Sequence, residues 1–115
     1  MDDVLLTREE FKKQVFARTN GKCCVPGCNH DAVDAHHIME RKLWQHGGYY
    51  LSNGAALCSE HHLDAEQGRI TPLQCIGYMS ISMSNIREPE KLSETLSFDE
   101  YYELLINNKL NKWGE

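Results

Sequence analysis

Apolar positions fall in short, separated groups whose spacing changes along the chain. Phe11, Val15 and Phe16 recur at helical intervals behind Thr7-Arg8-Glu9-Glu10. That tetrad has capping-box spacing, and Leu6 and Phe11 are spaced as a hydrophobic staple. The pattern predicts a helix from Thr7 that stops at Asn20-Gly21. Residues 33–38 alternate and predict a strand, with Val33, Ala35 and His37 on one face and Asp34, His36 and Ile38 on the other. Residues 41–48 read as irregular, with a turn at Gly47-Gly48. Residues 55–58 predict a short apolar strand, and Ser59 a cap for a helix reaching about Gln67 and ended by Gly68. Further on, residues 78–84 alternate loosely and predict another strand, and residues 85–90 a loop, with Pro89 biasing its predecessor to extended geometry. Ser97-Phe98-Asp99-Glu100 repeats the capping-box spacing, with Leu96 and Tyr101 as its staple. The last helix then carries Phe98, Tyr101, Tyr102, Leu105 and Ile106 on one broad face, which reads as core.

With 115 residues, one domain is expected, burying roughly two-thirds of the surface of the unfolded chain. A hydrophobic fraction of 41% with 25% charged residues excludes disorder across the whole chain. No apolar run approaches the ~20 residues of a membrane span. The acidic start Met1-Asp2-Asp3-Val4, with no apolar stretch after it, leads to the expectation of a cytoplasmic protein with no membrane partner. The formal charge of −5 argues against indiscriminate binding to nucleic acid. Its distribution changes that picture. Between Phe11 and Asn53 stand six basic residues (Lys12, Lys13, Arg18, Lys22, Arg41, Lys42) and three acidic ones (Asp31, Asp34, Glu40), a net +3.

Five cysteines and six histidines carry the strongest chemical signal. An odd cysteine count without a secretory leader argues against a disulfide framework. Cys23, Cys24 and Cys28 surround a Pro26-Gly27 turn, and Cys58-Ser59-Glu60-His61-His62 follows beyond a loop. Paired ligands on such a turn, joined to Cys-x2-His, suit a tetrahedral zinc site. Cys23 and Cys24 compete for one place in it. Cys75 lacks a partner at ligand spacing and reads as a small buried hydrophobe. His30 and His46 read as surface histidines.

Asp34-Ala35-His36-His37-Ile38, then Asn53, then Cys58-x2-His61-His62 follow one another in order. In this the chain resembles the HNH endonucleases, the ββα-metal nucleases, and among them the branch with a zinc knuckle. The resemblance spans about residues 20–68. It implies an α+β fold: a zinc-stapled ββα unit of treble-clef, His-Me finger type, preceded by a helix and followed by a helical extension over about 76–115. It implies that His37 is the general base and that His36 and His62 hold a catalytic divalent metal. Asn53 would orient the base and brace its loop, and Cys23, Cys28, Cys58 and His61 would hold structural zinc. Arg41 and Lys42 are candidates for substrate phosphate contacts. The His36-His37 pair departs from the commoner Asp-His. Two imidazole ligands favour Mn²⁺, Co²⁺ or Ni²⁺ over Mg²⁺.

The implied activity is metal-dependent hydrolysis of phosphodiester bonds in DNA, double-stranded in the first instance, by a monomer or a homodimer. An imidazole titrating near neutrality suits a general base. Adjacent strand residues face opposite ways, which divides labour between His36 and His37. About 100° of helical rotation likewise separates His61 from His62. Two readings compete: a noncatalytic zinc module binding nucleic acid or protein, which needs only the zinc ligands and a basic face that the composition does not generously provide, and a ribonuclease using the same chemistry.

Overall fold

The computed structural model describes residues 4–82, Pro89 and residues 98–107. Within them the fold is α+β, with four helices and one two-stranded sheet. Helix α1 (Arg8–Ala17) precedes strands β1 (Asp34–His37) and β2 (Gly54–Leu57), and α2 (Ser59–Glu66), α3 (Pro72–Tyr78) and α4 (Phe98–Asn107) follow. Short 3-10 turns at Arg41–Leu43 and Leu51–Asn53 interrupt the connection between the strands. No helix among the described residues is long and apolar enough to cross a membrane.

Helix α1 begins as its sequence predicts. The Thr7 side chain accepts a hydrogen bond from the Glu10 amide, and Phe11 and Val15 are buried. Burying two such side chains contributes roughly 1.5–3 kcal/mol each. After the helix, Asn20 and Gly21 take left-handed backbone conformations that turn the chain away. The face formed by Phe11 and Val15 meets the sheet at Gly54. A Cβ added there would overlap Val15 Cγ2 and lie 3.0 Å from Phe11 Cζ. The close approach of α1 therefore depends on a residue without a side chain.

The strands pair antiparallel, with Asp34 opposite Leu57, Ala35 opposite Ala56, His36 opposite Ala55 and His37 opposite Gly54. Strand β1 is shorter than the alternation predicts: Val33 and Ile38 bond outside it, through Leu57 O and Asn53 O respectively. All four β2 residues are buried, because helices cover it.

Three further expectations are corrected. Ser59 is the first residue of α2, and Cys58 is the cap, its sulfur accepting from the His61 amide. Residues 78–82 form no strand. Tyr78 ends α3, which Thr71 and Gln74 start with a reciprocal capping box and Pro72 at the first position. Met79 and Ser80 then form a turn, with Ser80 at φ 56°, and residues 83–84 lie outside the described residues. On α4 the core is reached by Leu104 and Leu105, whereas Tyr102 and Ile106 are exposed. Apart from Pro89, the expected loop at 85–90 lies outside the described residues, as do Leu96 and Ser97.

Candidate functional site

Two ligand clusters form where the sheet meets α2. The first contains Cys23, Cys28, Cys58 and His61, whose ligand atoms all lie within 4.8 Å of one another. Residues 22–31 fold back as a knuckle. Lys22 bridges to Asp31, the Cys23 amide donates to His30 O at 3.0 Å, and the Cys28 amide donates to Val25 O at 3.0 Å. Cys23 and Cys58 Sγ lie 3.4 and 3.3 Å from His61 Nδ1, and Cys28 Sγ lies 4.0 Å from Cys58 Sγ. Tetrahedral zinc with Zn–S of about 2.3 Å and Zn–N of about 2.0–2.1 Å needs S···N edges near 3.6 Å and S···S edges near 3.8 Å. The four residues therefore fit zinc, with His61 offering Nδ1.

Charge within this cluster is uneven. Burial pushes the Cys23 thiol up to about 11. Burial acts on Cys58 in the same direction, but the His61 amide and hydrogen bonds from His30, Cys23 and Cys28 outweigh it and bring Cys58 down to about 6. His30 is exposed, as expected of a surface histidine, and the fold-back of the knuckle brings it to Cys58, a contact that no linear spacing signals. Cys24 stays out of the cluster. Its amide donates to Ala56 O at 2.8 Å, its side chain is half-buried against the core, and burial raises its pKa to about 12. Cys75 is fully buried, as its isolation in sequence suggests.

The second cluster contains Asp34, His36 and His62. Asp34 and His36 are two apart on β1 and share a face, and α2 brings His62 against them. His62 Nε2 lies 3.2 Å from Asp34 Oδ2 and 3.1 Å from Glu66 Oε1, and the His36 and His62 ring centroids are 5.6 Å apart. Burial, and then His62, hold the His36 pKa below its ordinary value against the opposing pull of Asp34, Glu66 and Glu40. A neutral imidazole is the ligand form. The expected pair of imidazoles thus stands among carboxylates: Asp34 joins the cluster and Glu66 borders it. These hard anionic oxygens weaken the argument against Mg²⁺. Sequence reasoning missed both acids. The His62/Glu66 spacing of four on a helix was the available signal for one, and Asp34 needed the strand register.

His37 sits apart, packed between Phe11 (centroids 4.8 Å apart, stacked) and Tyr49 (4.9 Å, edge-on). Its ring hydrogen-bonds to the Gly47 backbone, while its buried Nε2 has no partner. The bonded nitrogen is therefore Nδ1, and donation to the Gly47 carbonyl leaves a lone pair on Nε2. Burial foremost, then Arg41 and His36, and also Arg8, push the pKa down to about 4 against the Gly47 bond. This corrects the expectation of an imidazole titrating near neutrality: burial keeps His37 in its neutral, proton-accepting form and makes it a weaker base than a free imidazole.

Asn53 is 3% exposed and holds the loop between the strands. It accepts from the Met39 amide at 2.8 Å and donates to Met39 O and Gly48 O, both at 3.1 Å. Gly48, at φ 70°, lies under the Trp44 indole, where a Cβ would come within 2.5 Å of the ring. The neighbouring carbonyl of Gly47 is thereby fixed for His37. The second cluster, His37 and Arg41 line one cleft of about 580 Å³. The Arg41 guanidinium carbon lies 5.7 Å from the Tyr49 ring centroid. Lys42 belongs to the 3-10 turn Arg41–Leu43, and its side chain lies outside the described set.

No family model matches the chain, and neither curated proteins nor solved structures yield a match.

Proposed function

We propose that this protein is a metal-dependent endonuclease of HNH, ββα-metal type that hydrolyses phosphodiester bonds in DNA, with a treble-clef zinc knuckle supporting its site. The observation that carries the reading is one cleft containing a carboxylate–histidine cluster, an arginine and a neutral histidine with an unpartnered nitrogen. Asp34, His36 and His62 would hold the catalytic metal, with Glu66 beside them, and Cys23, Cys28, Cys58 and His61 would hold zinc. A divalent ion held by the second cluster would supply the positive charge that phosphodiester hydrolysis needs, at the phosphoryl group and the leaving 3′-oxygen.

The remaining steps belong to the chain. Nε2 of His37 takes a proton from water as its oxygen attacks phosphorus. The bond from phosphorus to the 3′-oxygen breaks, and that oxygen is protonated from solvent, giving a 5′-phosphate and a 3′-hydroxyl. Asn53 acts through the loop, by holding the Gly48 carbonyl next to the Gly47 carbonyl that fixes the tautomer of His37. Arg41 offers its guanidinium to a non-bridging phosphate oxygen. An unpaired buried acceptor costs about 1–3 kcal/mol. A nitrogen that receives its proton during the reaction gives that cost a purpose.

Nicking of supercoiled plasmid tests the proposal, with zinc-loaded wild type and His37→Ala compared in Mg²⁺, Mn²⁺, Co²⁺ or Ni²⁺. The wild type nicks, and His37→Ala keeps its zinc and fold while losing about 10²–10⁴ in rate. Equal nicking by both proteins, or none by the wild type with any of these ions, refutes the proposal. Preferential cleavage of RNA transfers the same chemistry to a different substrate.

A further inference from the structure

Two cations in the cleft are not used by the chemistry above. Besides Asp34, His36 and His62, the cleft is lined by Arg8 and Lys12 of α1, and by Glu40 and Arg41 from the connection between the strands. Arg8 and Lys12 are four residues apart, so they project from one stripe of α1. That stripe is fixed in place because Phe11, between them in sequence, stacks on His37. Both are exposed on the helix, the Lys12 ammonium 5.7 Å from the Phe16 ring centroid. Among the described residues no carboxylate pairs with Arg8, Lys12 or Arg41. By contrast, Lys22 and Arg69 elsewhere on the surface each engage an aspartate. The cleft thus combines the carboxylate–histidine cluster with three cations that no carboxylate among the described residues pairs. A cleft of that kind attracts a polyanion and orients it.

Resting on the nuclease reading, we propose that Arg8 and Lys12 bind the phosphate next to the one being cleaved, with Arg41 between the two positions. α1 is then the part of the protein that grips the DNA backbone. The residues that cut stand on β1 and α2, and those that hold the neighbouring phosphate stand on α1. Contacts of this kind carry no base information, so they position the strand without selecting its sequence. The acidic total charge of the chain does not oppose them, because screening makes the local charge decisive over distances of about 10 Å.

Salt dependence of DNA binding reads these contacts directly, without any cleavage step. Fluorescence anisotropy of a fluorescein-labelled DNA duplex is measured between 50 and 200 mM salt in the absence of divalent catalytic ions. Each phosphate contact steepens the log–log salt slope by about 0.9, or roughly 3.5-fold in affinity over that range. Because Arg8 and Lys12 share one phosphate, the double variant R8Q/K12Q is expected to lose about 3.5-fold less affinity than the wild type across the titration. K13Q removes the same charge from the adjacent position on α1, a residue that does not line the cleft, and keeps the wild-type slope. Glutamine preserves helix propensity, and circular dichroism confirms that α1 is intact. A double variant with the wild-type slope, or a K13Q slope reduced per charge as much as that of the double variant, overturns the proposal. Slope changes as expected in a protein that nicks no plasmid refute the nuclease reading and leave the α1 contact standing.

Discussion

Replacing Asn53 with alanine removes three hydrogen bonds from a side chain that solvent scarcely reaches. The consequences differ between partners. Met39 O keeps a donor in Trp44 Nε1 at 3.3 Å, and Gly48 O keeps the Tyr50 amide at 2.8 Å. The Met39 amide has no such substitute and is left buried and unpaired. That orphaned donor costs about 1–3 kcal/mol, and each of the other two lost bonds about 0.5–1.5 kcal/mol. Water entering the vacated space recovers part of the sum, so a loss of about 3 kcal/mol is expected. With a urea m-value of about 1.5 kcal/mol/M, this lowers the unfolding midpoint by about 2 M. The measurement is equilibrium urea unfolding of zinc-loaded protein near neutral pH, followed by far-UV circular dichroism. A loss below about 1 kcal/mol at unchanged m would refute the argument, because even the orphaned amide alone exceeds it.

Metal analysis separates the adjacent thiols: Cys23→Ser is expected to lose the zinc and Cys24→Ser to retain one per chain, and the reverse would mean that the knuckle closes on the other sulfur. The depressed His37 pKa has a consequence for stability with a definite sign. Its ordinary value is 6.5 and its native value about 4, so the unfolded chain takes up this proton first as pH falls. The contribution of a neutral His37 to stability is present above 6.5 and declines as pH drops through the window from 6.5 to about 4. His37→Phe retains a ring against Phe11 and does not titrate. The stability of the wild type relative to this variant, followed by urea unfolding, is flat above pH 7 and falls in that window. A difference independent of pH throughout contradicts the burial assigned to this ring.

The parts of this fold legible in sequence are those encoded by local spacing. The Thr7 cap, the Phe11/Val15 face and the short strand expected at 55–58, which the structure places one residue earlier at Gly54–Leu57, each depend on neighbours within a turn or two. Helix α3 carried an equally local signal in Thr71-Pro72 and Gln74, but its seven residues, Gly77 among them, are under two turns, too short for a helical period to show. The alternation at 78–83 then suggested a strand that tertiary packing does not form. At the site, the cysteine and histidine spacings pointed to zinc, and the structure separates Cys23 from Cys24 because Cys24 is drawn into the edge of the sheet by Ala56. Asp34 beside His62 and His30 beside Cys58 were not legible. The first depends on strand register and the approach of α2, the second on a hairpin closing over nine residues.

Cys58 is at once the end of the sheet, the cap of α2 and a member of the thiol cluster. Cys28 and Cys58 are 30 residues apart, and Asp34 and His36 lie inside the segment they enclose. Closing a loop of that length costs about 3 kcal/mol of chain entropy beyond a constant. An ion holding that loop shut would relieve the second cluster of the cost, since His62 follows directly on His61. On the proposed reading the two clusters would then be coupled: filling the thiol cluster would raise the affinity of the carboxylate–histidine cluster for an ion, and the reverse would hold by the same factor. A chelator that removed the first ion would weaken the hold on the other without touching its ligands.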